Sequence, residues 1–381
     1  MSRRLLTKRR GFSLPELMVA MVIGLVLVMA ISTLVTRQES IRRGVSSGND
    51  LTSNAAYAAY LLDRELRSAG AGFSQAPPEN YGCVLNVSRN NTQLLPATAP
   101  FPAPFASIPQ TYALAPLVVF AGAGTGGSDV LAVATGNSGL SELPLAVSPK
   151  STAAGQLKLS NTLGMRGGDL VLLAQQGVGC MMEQVSNGFA GGTGQVLTLG
   201  GTYAADTING KSVTDFSNGN AFVSALGNVT GNQPRFELLG LGANGTLYAY
   251  DLLQLSSNSP QALVEGIADM RVVYGVDTAR GGLDQVTAWI APTASGYTAA
   301  ELTNGTSVAQ ANLKAILAVR ISMVLRSELV EKTDVTSGTL TMFSDLDTSL
   351  QRTFTVPTGT TNQRYRLVEF TIPLRNVRLA P

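Results

Sequence analysis

A single carboxylate stands at the start of an otherwise apolar run. Lys8-Arg9-Arg10-Gly11-Phe12-Ser13-Leu14-Pro15-Glu16-Leu17-Met18 leads straight into an apolar stretch that ends near Val35. Phe12 to Val35 is 24 residues. As a helix rising ~1.5 Å per residue, that is enough to span a ~30 Å hydrocarbon layer. A carboxylate at the centre of such a layer costs roughly 2.5–3.5 kcal/mol on insertion scales. Glu16 lies near one end, where the cost is smaller, but it still needs a partner. A cut between Gly11 and Phe12 supplies one, because the new α-amino group of Phe12 is four residues from Glu16 on the same helix face. The pair can neutralise itself, or the amine of one copy can meet the Glu of a neighbour. Arg3, Arg4, Lys8, Arg9 and Arg10 hold the leading segment in the cytoplasm by the positive-inside rule, so the rest of the chain is sent out.

Two plainer readings compete. The segment is long enough for a simple signal-anchor helix. It also holds Val28-Met29-Ala30, a small-residue site at which a secretory signal would be cut to leave Ile31 as the new start. Against the secretory reading, the apolar run exceeds the usual ~7–15 residues, with Pro15 and Glu16 at its beginning. Only a cut after Gly11 accounts for Gly11, Phe12 and Glu16 together.

The leader resembles that of the type IV prepilins, whose members are cut after this Gly and methylated on the new Phe amine. The resemblance extends into the body of the chain. Tyr60-Leu61-Leu62-Asp63-Arg64-Glu65-Leu66-Arg67-Ser68-Ala69-Gly70 is similar to the helix end of PilW-type minor pilins, with the first cysteine shortly after. Gly168 to Leu173 leading to Cys180, Val264-Glu265-Gly266-Ile267, Ala318-Val319-Arg320-Ile321 and Leu374-Arg375-Asn376-Val377 are similar to that family as well, whereas residues 187–260 are not. Pro15 departs from the usual aliphatic residue, in a first helical turn where a missing N–H is tolerated.

The resemblance implies a minor pilin processed at Gly11 and Phe12 by a prepilin peptidase and docked through Phe12 and Glu16. It would be held in the bacterial inner membrane as a single-pass protein with its head in the periplasm. It would then join the pilus fibre at the cell surface. Its implied partners are other minor pilins and the major pilin, with a tip adhesin as a further candidate. The implied role is to prime pilus assembly in a low-copy complex near the tip, supporting twitching motility and attachment. A head of some 310 residues would crowd a fibre made only of itself, which independently favours low copy number. The alternatives are a J-type pseudopilin of a type II secretion system, whose heads are usually much shorter, and a membrane-anchored adhesin.

Composition narrows the chemistry. Charged residues make up 14% of the chain, below the ~25% of ordinary soluble domains, and there are 40 glycines, which suits many turns between short strands. The formal charge is +2, and removing the five leader cations leaves 22 basic residues against 25 acidic ones. No basic surface for nucleic acid is expected. There is no histidine, which removes Ser-His-Asp and Cys-His catalysis, and two cysteines make no ordinary zinc set. We therefore expect no enzyme, cofactor or metal. An even cysteine count in an exported chain predicts a Cys83–Cys180 disulfide; two free thiols are the alternative.

The expected fold class is α+β, a long N-terminal transmembrane and amphipathic helix packed on a large antiparallel β-rich head. The expected divisions are a leader at 1–11, a helix at 12–70 with its membrane half at 12–35, and a head at 71–381. Ile41, Val45, Tyr57, Leu61, Leu62 and Leu66 recur at helical spacing and are expected to face the head. Gly44 and Ser46-Ser47-Gly48-Asn49 are weak helix formers and predict a kink or fray. Strands are expected at 128–135, 169–174, 270–276 and 317–325, the last with one wetter face. Residues 364–375 change apolar phase, which predicts a β-bulge near Leu367-Val368. The Pro-rich stretch 96–109 reads as a surface loop with Phe101, Phe105 and Ile108 tucked down. Gly122-Ala-Gly124-Thr-Gly126-Gly127 imitates a dinucleotide fingerprint, with Glu142 placed 20 residues on, but the strand-like Ser128 to Val133 that follows makes it a hairpin loop. Asp345 and Asp347 read as solvated acids rather than a calcium site.

Overall fold

The computed structural model describes residues 11–137, 143–149, 153–217, 219–254, 259–280 and 285–377. The leader cations and Glu142 lie outside them. The chain opens with one helix, α1, over Leu14–Arg67, roughly 80 Å at ~1.5 Å per residue. Ser13 is its N-cap, with Pro15 in the first turn, where the missing N–H has no intrahelical partner to lose. Its exit is set by Gly70 and Gly72, both at positive φ (83° and 82°). The Gly70 N–H donates to Ala134 O, which joins the end of the helix to the head.

Among the described residues, the head holds three larger sheets and three short α-helices: α2 (Pro77–Asn80), α3 (Ala299–Leu302) and α4 (Ser307–Ala315). A four-stranded sheet near the C-terminus runs in the order Ala288–Ile290, Ile267–Val276, Ile316–Arg326, Tyr365–Pro373. A five-stranded sheet is ordered Gln261–Val264, Leu247–Asp251, Arg235–Leu241, Val130–Thr135, Leu117–Phe120. A six-stranded sheet is ordered Thr92–Leu95, Leu85–Arg89, Gly179–Gln184, Asp169–Gln175, Ala221–Asn228, Leu145–Ala146. Among the described residues, strand pairing is antiparallel except between Leu85–Arg89 and Gly179–Gln184. The fold is α+β, with a long apolar N-terminal helix on a β-rich head.

The main core lies between α1 and these sheets, with Phe73, Phe105 and Tyr274 among its larger members. The six-stranded sheet is covered on both faces. Leu170, Leu172 and Ala174 join the main core, while Val171 and Leu173 join a second core with Phe216 and Leu197. That alternation is the period of two of a strand. Residues 117–120 and 130–135 pair as a hairpin across the Gly-rich loop, so the dinucleotide imitation has no following helix. In the Pro-rich stretch, Phe101, Phe105 and Ile108 are buried.

Several expectations fail. First, α1 runs unbroken through Gly44 and Ser46–Asn49. Weak propensity is offset there by packing, because the small residues are where helix and head come close. A Cβ on Gly44 would lie 3.0 Å from Arg364 Nη2, and Ser47 is buried. Second, the buried stripe is Ser47, Leu51, Ala55, Ala58, Leu62 and Leu66 with Leu61, while Ile41, Val45 and Tyr57 are exposed. Third, Tyr365–Pro373 pairs with Ile316–Arg326 in continuous register, with no bulge. Its apolar phase changes because the sheet is covered on both faces. Val368, Phe370 and Ile372 meet the main core, whereas Tyr365 and Leu367 pack against the hairpin of Thr339–Met342 and Arg352–Thr355. The same hairpin covers the face of Ile316–Arg326 that was expected to be wetter, so Ser322 and Val324 are fully buried.

Candidate functional site

The start of α1 carries the residues singled out at the leader. Gly11 and Phe12 precede the helix, and Phe12 is exposed. Ser13 and Glu16 form a reciprocal capping box, in which the Glu16 N–H donates to Ser13 Oγ at 3.4 Å. The Ser13 N–H and Ser13 Oγ each donate to Glu16 Oε2 at 3.1 Å. The Glu16 carboxylate thus already has a partner in the uncut chain. Sequence reading passed over this role of Ser13, although Ser13-Leu-Pro-Glu16 carries the S-x-x-E signal of a capping box.

From Phe12 to Val35 every side chain is exposed on all faces of the helix. Among the described residues, α1 is the one helix long and apolar enough to cross a membrane. The apolar part gives way to charge at Arg37, Glu39, Arg42 and Arg43, with Glu39 and Arg43 paired at 3.1 Å. Beyond that point polar ties fasten the helix to the head. Arg366 Nη1 donates to Thr52 Oγ1 at 2.6 Å, Arg235 Nη1 to Glu65 Oε1 at 2.7 Å, and Asn376 Nδ2 to Ser68 O at 3.0 Å. Tyr57 and Tyr60 stay exposed.

Cys83 and Cys180 are joined by a disulfide with Cα atoms 5.6 Å apart across 97 residues of sequence. It links the segment just after α1 to the six-stranded sheet, beside the pairing of Leu85 with Cys180. The structure does not bring the cysteines near Gly11, Phe12 or Glu16, so the leader junction and the crosslink are separate features.

Asp345 is not simply solvated. Its two oxygens accept from Arg320 Nη1 and Nη2 at 2.8 and 2.7 Å, and that guanidinium holds its carboxyl below the usual range. Among the described residues, no three His, Cys, Asp or Glu side chains gather to hold a metal. A polar groove of about 580 Å³ runs beside the C-terminal half of α1, lined by Tyr57, Arg64, Glu65, Arg235, Glu237 and Asp251 among others. Burial, with Glu65 and Asp251 adding like charge, pushes the Glu237 carboxyl up to about 7. No spacing in the sequence announced this groove, because its residues come from the helix and from strands 170 or more positions away.

Comparison with known families returns two matches. The prokaryotic N-terminal methylation motif matches residues 6–32, and Type IV Pilus-assembly protein W matches residues 240–376. The second region contains the long strands of the four-stranded sheet; the six-stranded sheet lies in neither. No curated protein and no solved structure matches the chain. The two matches, one at each end of the chain, support its being a PilW-type type IV pilin.

Proposed function

We propose that this chain is a low-copy minor pilin that primes type IV pilus assembly near the tip, with no enzymatic activity. The observation that carries this reading is the start of α1. A capped Glu16 opens an apolar helix exposed on every face, and that helix carries a large head. Prepilin peptidase would cut between Gly11 and Phe12 and methylate the Phe12 amine. Both capping bonds fall on Glu16 Oε2, leaving Oε1 to receive that amine from the same chain or from a neighbour. Before assembly α1 would hold the chain in the inner membrane, with the head in the periplasm. After extraction the same apolar surface would pack among the helices of other minor pilins and the major pilin. Because it carries Glu16, this subunit can dock beneath another and is not the topmost one.

The intact mass and N-terminal sequence of the membrane-isolated protein come first. A start at N-methylated Phe12 supports processing as a prepilin, whereas a start at Ile31 removes the docking role of Glu16. Glu16→Ala should abolish co-purification with other minor pilins, and normal piliation in that variant would sink the pairing mechanism. Deletion should abolish twitching and spare enzyme secretion. The reverse outcome would assign the chain to a type II secretion pseudopilin.

A further inference from the structure

The groove beside the C-terminal half of α1 is built from one sheet face and one helix stripe. Glu237 stands opposite Asp251, Leu239 opposite Ala249, and Ala249 opposite Gln261 in the next strand. Steps of two along a strand keep to one face, so Arg235, Glu237 and Leu239 share theirs with Ala249, Asp251 and Gln261. All six line the groove and form its floor. Tyr57, Leu61 and Arg64, at helical spacing on α1, form a wall. Tyr57 lies roughly 30 Å along the helix from Val35, clear of the apolar segment. The volume of about 580 Å³ is that of a small-molecule site. A second cavity of about 240 Å³ shares Gln233, Pro234, Asp251 and Gln254 with the groove, so the polar surface is elongated.

The charges in the lining select against an ionic ligand. Arg64 Nε and Arg235 Nη1 both donate to Glu65 Oε1, at 2.8 and 2.7 Å, so these cations are already paired. Asp251 Oδ1 accepts from the Leu253 N–H at 2.9 Å, and the Gln254 side chain also bonds this carboxyl. The Glu237 carboxyl takes no hydrogen bond from the described residues, and burial pushes it up to about 7. An anion would meet Glu65 and Asp251, and a cation would meet two guanidinium groups. The groove surface is also mainly polar, so an apolar side chain of a peptide finds little to fill.

Such a lining matches an uncharged molecule rich in hydroxyls. Carboxyl, carboxamide and guanidinium groups are planar, each with two adjacent polar atoms that can meet neighbouring hydroxyls on a sugar ring. Glu237, Asp251, Gln261 and Arg235 supply all three kinds along the floor. The C–H face of a sugar ring is apolar and needs a flat apolar surface. The Tyr57 side chain, 52% exposed on the wall, supplies one.

We propose that this groove binds an uncharged oligosaccharide, with Tyr57 against the apolar face of one ring and Glu237, Asp251 and Gln261 holding its hydroxyls. The elongated surface suits several linked sugars rather than one. This activity goes beyond the assembly role and does not rest on it.

The test uses the full-length protein in detergent micelles. It is offered an immobilised panel of neutral di- and trisaccharides of glucose, galactose, mannose and N-acetylglucosamine, with sialylated and amino-sugar oligomers as charged controls. At least one neutral member should bind, and titration calorimetry then gives its Kd. Tyr57→Ala should weaken that Kd about tenfold, the loss of about 1.4 kcal/mol, whereas Tyr57→Phe keeps the ring and should stay within about twofold. Tyr60→Ala, at an exposed position outside the lining, should leave binding unchanged. Glu237→Leu removes the unbonded carboxyl at similar volume; it should weaken binding about tenfold with the melting temperature unchanged or higher. Should that variant fail to fold, the half-exposed Tyr57 still decides the question. No binding to any neutral member, or equal affinity in Tyr57→Ala, overturns the proposal. Tighter binding of a charged control overturns the neutral assignment. Loss of piliation in Tyr57→Ala, with no sugar bound by the wild type, would assign this wall to a subunit contact instead.

Discussion

The Glu16 carboxylate is held by Ser13, whose N–H and hydroxyl both donate to Glu16 Oε2 at 3.1 Å. The carboxylate that caps the helix is thus the same one proposed to dock a neighbouring subunit. Ser13→Ala should loosen the first turn by about 1 kcal/mol, the usual worth of an N-cap. Amide hydrogen exchange at Glu16 and Leu17 in micelles should then speed up by about fivefold. Unchanged exchange would show that the cap contributes nothing in a membrane-like setting.

Arg320 joins the hairpin of Thr339–Met342 and Arg352–Thr355 to the four-stranded sheet. It pairs with Glu369 at 2.6 Å and with Asp345, and the Phe343 N–H donates to the other Glu369 oxygen. Arg320→Met strands the largely buried Glu369 and should lower stability by about 2 kcal/mol in urea denaturation. Asp345 has a lowered folded pKa. Its contribution is therefore present above its unfolded value and lost as pH falls through the folded one. That acid-side slope should shrink in the variant.

Glu183 is buried in the six-stranded sheet, and burial pushes its carboxyl up to about 8. The folded state then holds a proton that the unfolded state releases near pH ~4.3, so stability is fully present below that pH and declines as pH rises towards 8. Glu183→Gln mimics the protonated form. It should raise the melting temperature at pH 8 and leave it nearly unchanged at pH 4, whereas equal shifts at both would refute a buried neutral acid.

Breaking the Cys83–Cys180 crosslink, which closes a 97-residue separation, should cost about 2–5 kcal/mol. A Cys83→Ser/Cys180→Ser double variant and the reduced wild-type protein should melt together, below the oxidised protein. A variant that melts with the oxidised form would show that the loop is ordered without the bond.

Local pattern was enough wherever one short segment carries the whole signal. Gly11, Phe12 and Glu16 stand within six residues, so the leader is readable from the chain alone. The same holds for the apolar length of the first helix, and for Val319, Ile321, Met323 and Leu325, whose alternation gives a strand with one face in the main core. The mispredictions share a cause. Whether Gly44 and Ser47 break a helix, or let one approach a head, depends on Arg364 and the sheet behind it. Ile41 and Val45 have the right spacing for a buried face, yet the covered stripe is the one with small residues, because close approach favours Ala55 and Ala58 over larger side chains. The phase change at Leu367-Val368 reflects a second cover on the sheet and not a bulge. Sequence alone determined the kind of chain, its long apolar N-terminal helix and its strand content, because those depend on periodicity and on residues a few positions apart. The tertiary structure decided which helix face is buried and what Arg320 holds, because both depend on groups brought together from distant parts of the chain.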